Sequence, residues 1–147
     1  METIECRSLD EIDQTAKKLI EYAGDEKIWI FQGNLGAGKT TLIRAIAKHF
    51  GVEDRVSSPT FSLVNEYGNH FGEVFYHFDF YRLEDPAEAI EIGVDEYFES
   101  GNYCWIEWAE KIPGFLPEDF FHIRIITLHN GTRHLILRKV KNGQADG

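Results

Sequence analysis

Apolar residues recur at three- and four-residue steps through Leu9, Ile12, Ala16, Leu19, Ile20 and Ala23, the spacing of one helix face. Ser8 and Glu11 stand at capping-box spacing ahead of this run, and Gly24 closes it. Residues 2–7 (ETIECR) alternate loosely, as a short edge strand would. Residues 27–32 (KIWIFQ) are β-rich and run straight into a glycine-rich loop. A second helix is expected over 39–50, stopped by Gly51. Pro59 in SSPT (57–60) then imposes a loop. Residues 61–67 and 73–80 read as two strands joined through 68–72 into a hairpin. Asp85-Pro86-Ala87-Glu88 starts a helix, with Asp as N-cap, Pro at N1 and Glu at N3, and Gly93 stops it. Residues 103–107 (YCWIE) have the composition of a buried strand. Residues 121–128 and 132–140 flank Asn130-Gly131, the best short hairpin signal in the chain, and residues 142–147 read as a frayed end.

This order places a strand–loop–helix unit at the heart of an α/β fold. The two hairpins add antiparallel strands, so the sheet is expected to be mixed. The loop in the unit is Gly33-Asn34-Leu35-Gly36-Ala37-Gly38-Lys39-Thr40, which fits G-x-x-x-x-G-K-[ST] at every fixed position. Such a loop wraps a polyanion so that successive amide hydrogens point inward. Glycine permits the dihedrals this requires, and the following helix contributes the partial positive charge of its N-terminus. Lys39 is placed to reach the β- and γ-phosphates, and the Thr40 hydroxyl to ligate Mg²⁺. Thr41 contacts the α-phosphate or packs. The motif follows a strand and opens a helix, which separates it from a chance glycine-rich turn. The expected ligand is ATP with Mg²⁺, held in a P-loop NTPase-like three-layer domain with a central mixed β-sheet.

A site of this kind needs a second carboxylate near the metal. Two acids end strand-like runs, Asp79 and Glu107. Either can bind Mg²⁺, directly or through its water shell, or orient the attacking water; alone, each also fits a solvated acid at a strand end. Thr60 lies where many P-loop proteins sense the γ-phosphate, and also suits an ordinary turn. His77 shares a strand face with Asp79 and reads foremost as a core or interfacial histidine. Arg82 fits a phosphate contact and a surface ion pair equally. Trp105 and Trp108 suit packing better than base stacking. No N-K-x-D segment and no D-x-x-G segment is present, so a GTPase reading is unsupported, and no Arg-rich insertion offers the lid of a small-molecule kinase.

Bulk properties narrow the setting. The 147 residues suit one domain, 1–147, and the 43% apolar and 27% charged content is that of an ordinary globular chain. The net charge is −10, and the fifteen Lys and Arg are scattered apart from a small group at 133–141. A phosphate backbone repels such a chain, so direct DNA or high-affinity RNA binding is not expected. The acidic N-terminus carries no apolar signal core, and no stretch is long enough to span a membrane; a cytoplasmic location is expected. Cys6 and Cys104 lie far apart without metal spacing, and no disulfide is expected.

The loop GNLGAGKTT, SSPTFSLV at 57–64, YHFDFYRLEDP at 76–86, IGVDEYF at 92–98 and CWIEWAE at 104–110 together resemble the TsaE (YjeE) family. These are the small ATPases of bacterial tRNA threonylcarbamoyladenosine synthesis. The resemblance covers residues 33–117, and the order S-P-T-[FY]-[ST]-L-V, H-x-D-x-Y-R, [IV]-E-W is far more specific than the loop alone. It implies ATP hydrolysis, weak in isolation, in the service of TsaD and TsaB, which modify the adenosine beside the anticodon. Contact with tRNA would be indirect, through that assembly. It further implies that Lys39 and Thr40 hold phosphate and Mg²⁺, that Glu107 is the metal-linked carboxylate, and that Asp79 is a catalytic or metal-shell acid. Thr60 would lie in a switch-like loop, and Arg133 is a weaker nucleotide contact. The alternatives are a stand-alone phosphotransferase and a nucleotide-gated interaction module.

Overall fold

The computed structural model describes residues 1–34, 36–59 and 63–145. Its strands are β1 (Glu2–Cys6), β2 (Ile28–Gln32), β3 (Val64–Gly68), β4 (Val74–Asp79), β5 (Tyr103–Glu107), β6 (Phe120–Thr127), β7 (Arg133–Lys141) and β8 (Gln144–Ala145). The helices are α1 (Ile12–Ala23), α2 (Lys39–His49), α3 (Ala87–Ile92) and α4 (Val94–Glu99). The sheet runs β1-β7-β6-β2-β5-β4-β3, with β8 paired to β7. Strands β6, β2, β5 and β4 are mutually parallel at the centre. The antiparallel pairs β1–β7, β6–β7 and β3–β4 flank them. The sheet is therefore mixed, as its hairpins require.

Alternation along the central strands assigns each side chain to a layer. Trp29 and Phe31 of β2, Phe75 of β4, Trp105 of β5 and Phe121 of β6 pack with Leu19 of α1 and Ile43 and Ile46 of α2. Ile28 and Ile30, one residue out of phase, join Phe78, Cys104 and Ile106 against Ala89 of α3 and Val94 of α4. Helices thus cover both faces, giving three layers. Both faces of β2 are buried, which is why it reads as a continuous apolar run. His77, Asp79 and Glu107 share the parity of Phe75 and Trp105, so they stand on the α2 side of the sheet. Cys6 and Cys104 are both free and buried in different layers, which keeps them from pairing.

Three local expectations differ in detail. Ser8 makes no side-chain cap, and a 3₁₀ turn over Leu9–Glu11 precedes α1. Glu11 instead reaches back to the Arg7 amide, at 2.8 Å, and Leu9 stays exposed. Gly93, at φ +75°, ends α3 and at once begins α4, a helix not expected from the sequence. The chain end is not frayed through Ala145, because Val140 and Lys141 pair with Ala145 and Gln144. The reason is Asn142-Gly143, both at positive φ (53° and 78°), the dipeptide and geometry of a tight hairpin turn. Asn130-Gly131 does turn the β6–β7 hairpin, within a loop where the Leu128 amide donates to the Thr132 carbonyl at 2.8 Å.

Candidate active site

The site lies beyond the carboxyl end of β2, between its parallel neighbours β5 and β6. Crevices form at such points in α/β sheets. Gln32 ends β2, and α2 begins at Lys39 with Gly38 as its N-cap at φ +92°. A side chain at Gly38 would be strained by that φ and would also meet the Arg133 guanidinium at 3.1–3.3 Å. A Cβ on Gly33 would stand 3.0 Å from Ala37 Cβ and 3.1 Å from the Ile125 carbonyl oxygen. The Ala37 amide donates to the Asn34 carbonyl at 2.9 Å, closing the loop into a tight turn, and Gly36 adds a second left-handed residue at φ +84°. Leu35 lies outside the described residues, as does Thr60.

Around this turn the predicted residues converge. Lys39 is buried and its Nζ donates to the Gly33 carbonyl at 2.6 Å. The same ammonium lies 3.7 Å from the centre of the Trp108 ring, an attraction of cation to π-face. Burial lowers the Lys39 pKa, opposed by the carboxylates of Glu107, Glu110 and Asp79. The Thr40 hydroxyl donates to Glu107, with Oε2 at 3.1 Å and Oε1 at 3.3 Å, and lies 2.8 Å from the Ser58 hydroxyl. Arg133, at the start of β7, donates from Nε to the Ala37 carbonyl at 2.7 Å and so flanks the loop. A cleft of about 330 Å³ is lined by Gly38, Lys39, Thr40, Asp79, Glu107 and Arg133, with Thr41 on its wall.

Asp79 and Glu107 are register partners on parallel strands, side by side at the sheet's carboxyl edge. Desolvation raises the Asp79 pKa, with the Glu107 charge adding to it; the Tyr81 amide, which donates to Oδ1 at 2.9 Å, and the charges of His77 and Lys39 act the other way. Arg82 is exposed on the rim of an adjoining cleft with Pro59 and Leu63, which shares Asp79 and Tyr81 with the first. Trp108 holds φ 61°, a left-handed conformation that costs a non-glycine residue about 1–2 kcal/mol. The strained turn tips its indole across Lys39 and against Tyr81, ring centres 4.9 Å apart.

The donors fit magnesium. Thr40 and Ser58 hydroxyls and the Asp79 and Glu107 carboxylates are hard oxygen ligands, the kind Mg²⁺ takes together with phosphate oxygens and water. Among the described residues no group of three or more His, Cys, Asp or Glu could hold a metal by itself.

The sequence profile described as threonylcarbamoyl adenosine biosynthesis protein TsaE matches residues 6–135. The chain belongs to the TsaE family. A tRNA threonylcarbamoyladenosine biosynthesis protein TsaE from Haemophilus influenzae is 45% identical over 104 residues, 70% of this chain and 65% of the relative, a little under two thirds of its length. The TsaE of Bacillus subtilis is 35% identical over 133 residues, 90% of this chain and 82% of that one. The crystal structure of Bacillus subtilis YdiB superposes with a TM-score of 0.72 at 28% identity, covering 97% of this chain and 89% of that one. The TsaE match takes in α1, β6 and the start of β7, beyond the segment 33–117 whose motifs carried the resemblance.

The TsaE-type site also contains residues that sequence reasoning underweighted. His77 is fully buried, as a core histidine would be, yet its Nε2 lies 2.7 Å from Glu107 Oε2. Its place two residues before Asp79 was the available signal. Ser58 stood in the S-P-T motif with no role assigned to it, and Tyr67 carried no signal of its own; their contacts depend on how the segment after α2 folds back over the sheet.

Proposed function

We propose that this TsaE-family chain binds ATP with Mg²⁺ on the 33–40 loop, hydrolyses it, and serves the threonylcarbamoyladenosine modification of tRNA with TsaD-like and TsaB-like proteins. The observation that carries the reading is the convergence of Lys39, Thr40 and Glu107, with Thr40 Oγ1 3.1 Å from Glu107 Oε2 at the N-terminus of α2. Phosphates enter the loop and take over the contacts that Lys39 and Arg133 now make to the Gly33 and Ala37 carbonyls. A polyanion also offsets the burial that disfavours the Lys39 charge. Bound Mg²⁺ supplies charge neutralisation between the phosphates. Thr40 and Glu107 hold it, and Asp79, beside them, orients water or the metal's water shell.

Hydrolysis by the isolated chain is slow on this reading. The cations of the site are spent on its own carbonyls, and charge in the transition state is stabilised fully only when donors are aimed in advance. Partners complete that arrangement. The decisive experiment mixes the purified chain with TsaD- and TsaB-like proteins, measuring phosphate release and modified tRNA over repeated cycles. Partner-stimulated release and more cycles per complex are expected. A chain that neither binds the partners nor changes the cycle number overturns the role in modification, and a phosphorylated acceptor in place of free phosphate makes the chain a phosphotransferase.

A further inference from the structure

Behind Glu107 runs a chain of buried polar groups that nucleotide chemistry alone does not call for. His77 is 0% exposed and Tyr67 5%, both beneath the site. His77 Nε2 lies 2.7 Å from Glu107 Oε2, and its Nδ1 lies 3.3 Å from the Tyr67 hydroxyl. That hydroxyl lies 3.3 Å from the Ser57 amide nitrogen and 3.0 Å from the Ser57 carbonyl oxygen. The Ser57 carbonyl also accepts from Asn65 Nδ2 at 3.0 Å. The next residue, Ser58, returns to the site through Thr40 at 2.8 Å. The contacts therefore close a ring: Glu107, His77, Tyr67, Ser57, Ser58, Thr40 and back to Glu107.

Both arms of this ring converge on Glu107, the Thr40 hydroxyl on one side and His77 Nε2 on the other. With the Nε2–H of His77 donating to the Glu107 carboxylate, the single phenolic proton of Tyr67 has two acceptors in reach, the Ser57 carbonyl at 3.0 Å and His77 Nδ1 at 3.3 Å. The Ser57 amide then donates to the phenolic oxygen, and Asn65 satisfies the Ser57 carbonyl. Such a chain fixes the carboxylate's orientation, as the outer partners of metal ligands do. His77, Tyr67 and Glu107 are buried, so along that part of the chain no water replaces a lost partner and displacement is passed on.

We infer that His77 and Tyr67 are positioning residues that hold Glu107 for a divalent cation and couple that carboxylate to the Ser57–Ser58 backbone. The inference rests on the magnesium-nucleotide reading of the site. A cation that engages Glu107 and Thr40 draws both from their mutual contact, and the ring carries the change to Ser57 through two buried side chains.

The test uses nucleotide binding and backbone signals rather than turnover. Calorimetry gives ADP affinity with MgCl₂ and with EDTA, and the ratio is the metal's contribution. His77→Leu is expected to lose most of that contribution, about tenfold, while its affinity in EDTA stays at the parent value. His77→Gln, which keeps an N–H near the Nε2 position, is expected to restore most of it. Tyr67→Phe keeps the ring and removes one hydroxyl; in it the nitrogen-15 shift of Ser57 caused by adding MgCl₂ to the ADP complex is expected to vanish, with metal-dependent affinity largely kept. A folded His77→Leu with the parent ratio overturns the positioning of Glu107. If that variant does not fold, a Tyr67→Phe protein whose Ser57 signal still responds as in the parent overturns the coupling. Lys39→Ala serves as the control for the underlying reading: undiminished ADP affinity there removes the nucleotide site itself, whereas lost affinity there with unchanged His77 and Tyr67 variants removes only the ring.

Discussion

The same strands β2, β4 and β5 carry two different kinds of physics at their two ends. Toward their amino ends Trp29, Phe75, Tyr103 and Trp105 form a continuous aromatic cluster with Phe50 and Phe121, with ring centres 4.7–6.3 Å apart. At their carboxyl ends Asp79, Glu107 and the turn after Gln32 gather charge, left-handed backbone and hydrogen-bonded polar groups. The first end is held by non-directional burial, which tolerates small shifts. The second is held by distances of 2.6–3.3 Å, each of which fails if its partner moves. Stability and function are thus separated along single strands, a few residues apart.

Substitutions should separate the two ends experimentally. Phe75→Ala leaves a cavity in the aromatic cluster and is expected to destabilise by about 3–5 kcal/mol, read by denaturant unfolding, with nucleotide affinity little changed in the folded fraction. Lys39→Ala is the opposite case. It removes a charge-assisted contact to phosphate worth about 1.5–3 kcal/mol, so ATP affinity should fall at least tenfold by calorimetry. Its thermal midpoint should not fall by more than about 2 °C, because a cation penalised by burial goes with it. A Lys39→Ala protein that unfolds like Phe75→Ala would show that the two ends are not separable.

Glu107→Gln keeps size and removes charge. Nucleotide should still bind, with its dependence on Mg²⁺ reduced about tenfold, a loss of the order of one charge-assisted contact. Asp79→Asn should slow turnover more than it weakens nucleotide binding; parent rates in both, with partners present, would leave neither acid catalytic. The three tryptophans report on the ends separately, since Trp29 and Trp105 are buried in the aromatic cluster and Trp108 lies over Lys39. Adding Mg·ADP should shift intrinsic fluorescence, and Trp108→Phe should remove most of the shift; an unchanged signal would place the response in the aromatic cluster.

The smallest effect concerns His122 on β6. Burial lowers its pKa, the charges of Arg138 and Arg124 add to this, and Glu110 opposes it. A lowered folded-state value means that the unfolded chain takes up a proton first on acidification. The stability it contributes is full above the ordinary value of 6.5 and is lost as pH falls through the folded-state value. His122→Gln should therefore flatten the thermal midpoint below pH 6.5, by on the order of 1–2 °C once solvent screening of a partly exposed ring is allowed for. An unaltered pH profile would assign the acid sensitivity to other groups.

The sequence by itself determined the loop, the helix after it, all the strands but β8, and the end positions of Asp79 and Glu107. Each of these is local: a period of two, a glycine-lysine-threonine spacing, a strand that stops at an acid. The Asn142-Gly143 turn was legible in the same terms, since it repeats the dipeptide of Asn130-Gly131. Only the tertiary structure decided that β6 lies beside β2, bringing Arg133 from the far end of the chain to Ala37. It alone placed His77 between Glu107 and Tyr67, and twisted Trp108 over Lys39. Those arrangements join residues 10 to 96 positions apart, most of them beyond the reach of any periodicity. They follow from which strands pair, a choice made by burial of the whole sheet rather than by any segment of it.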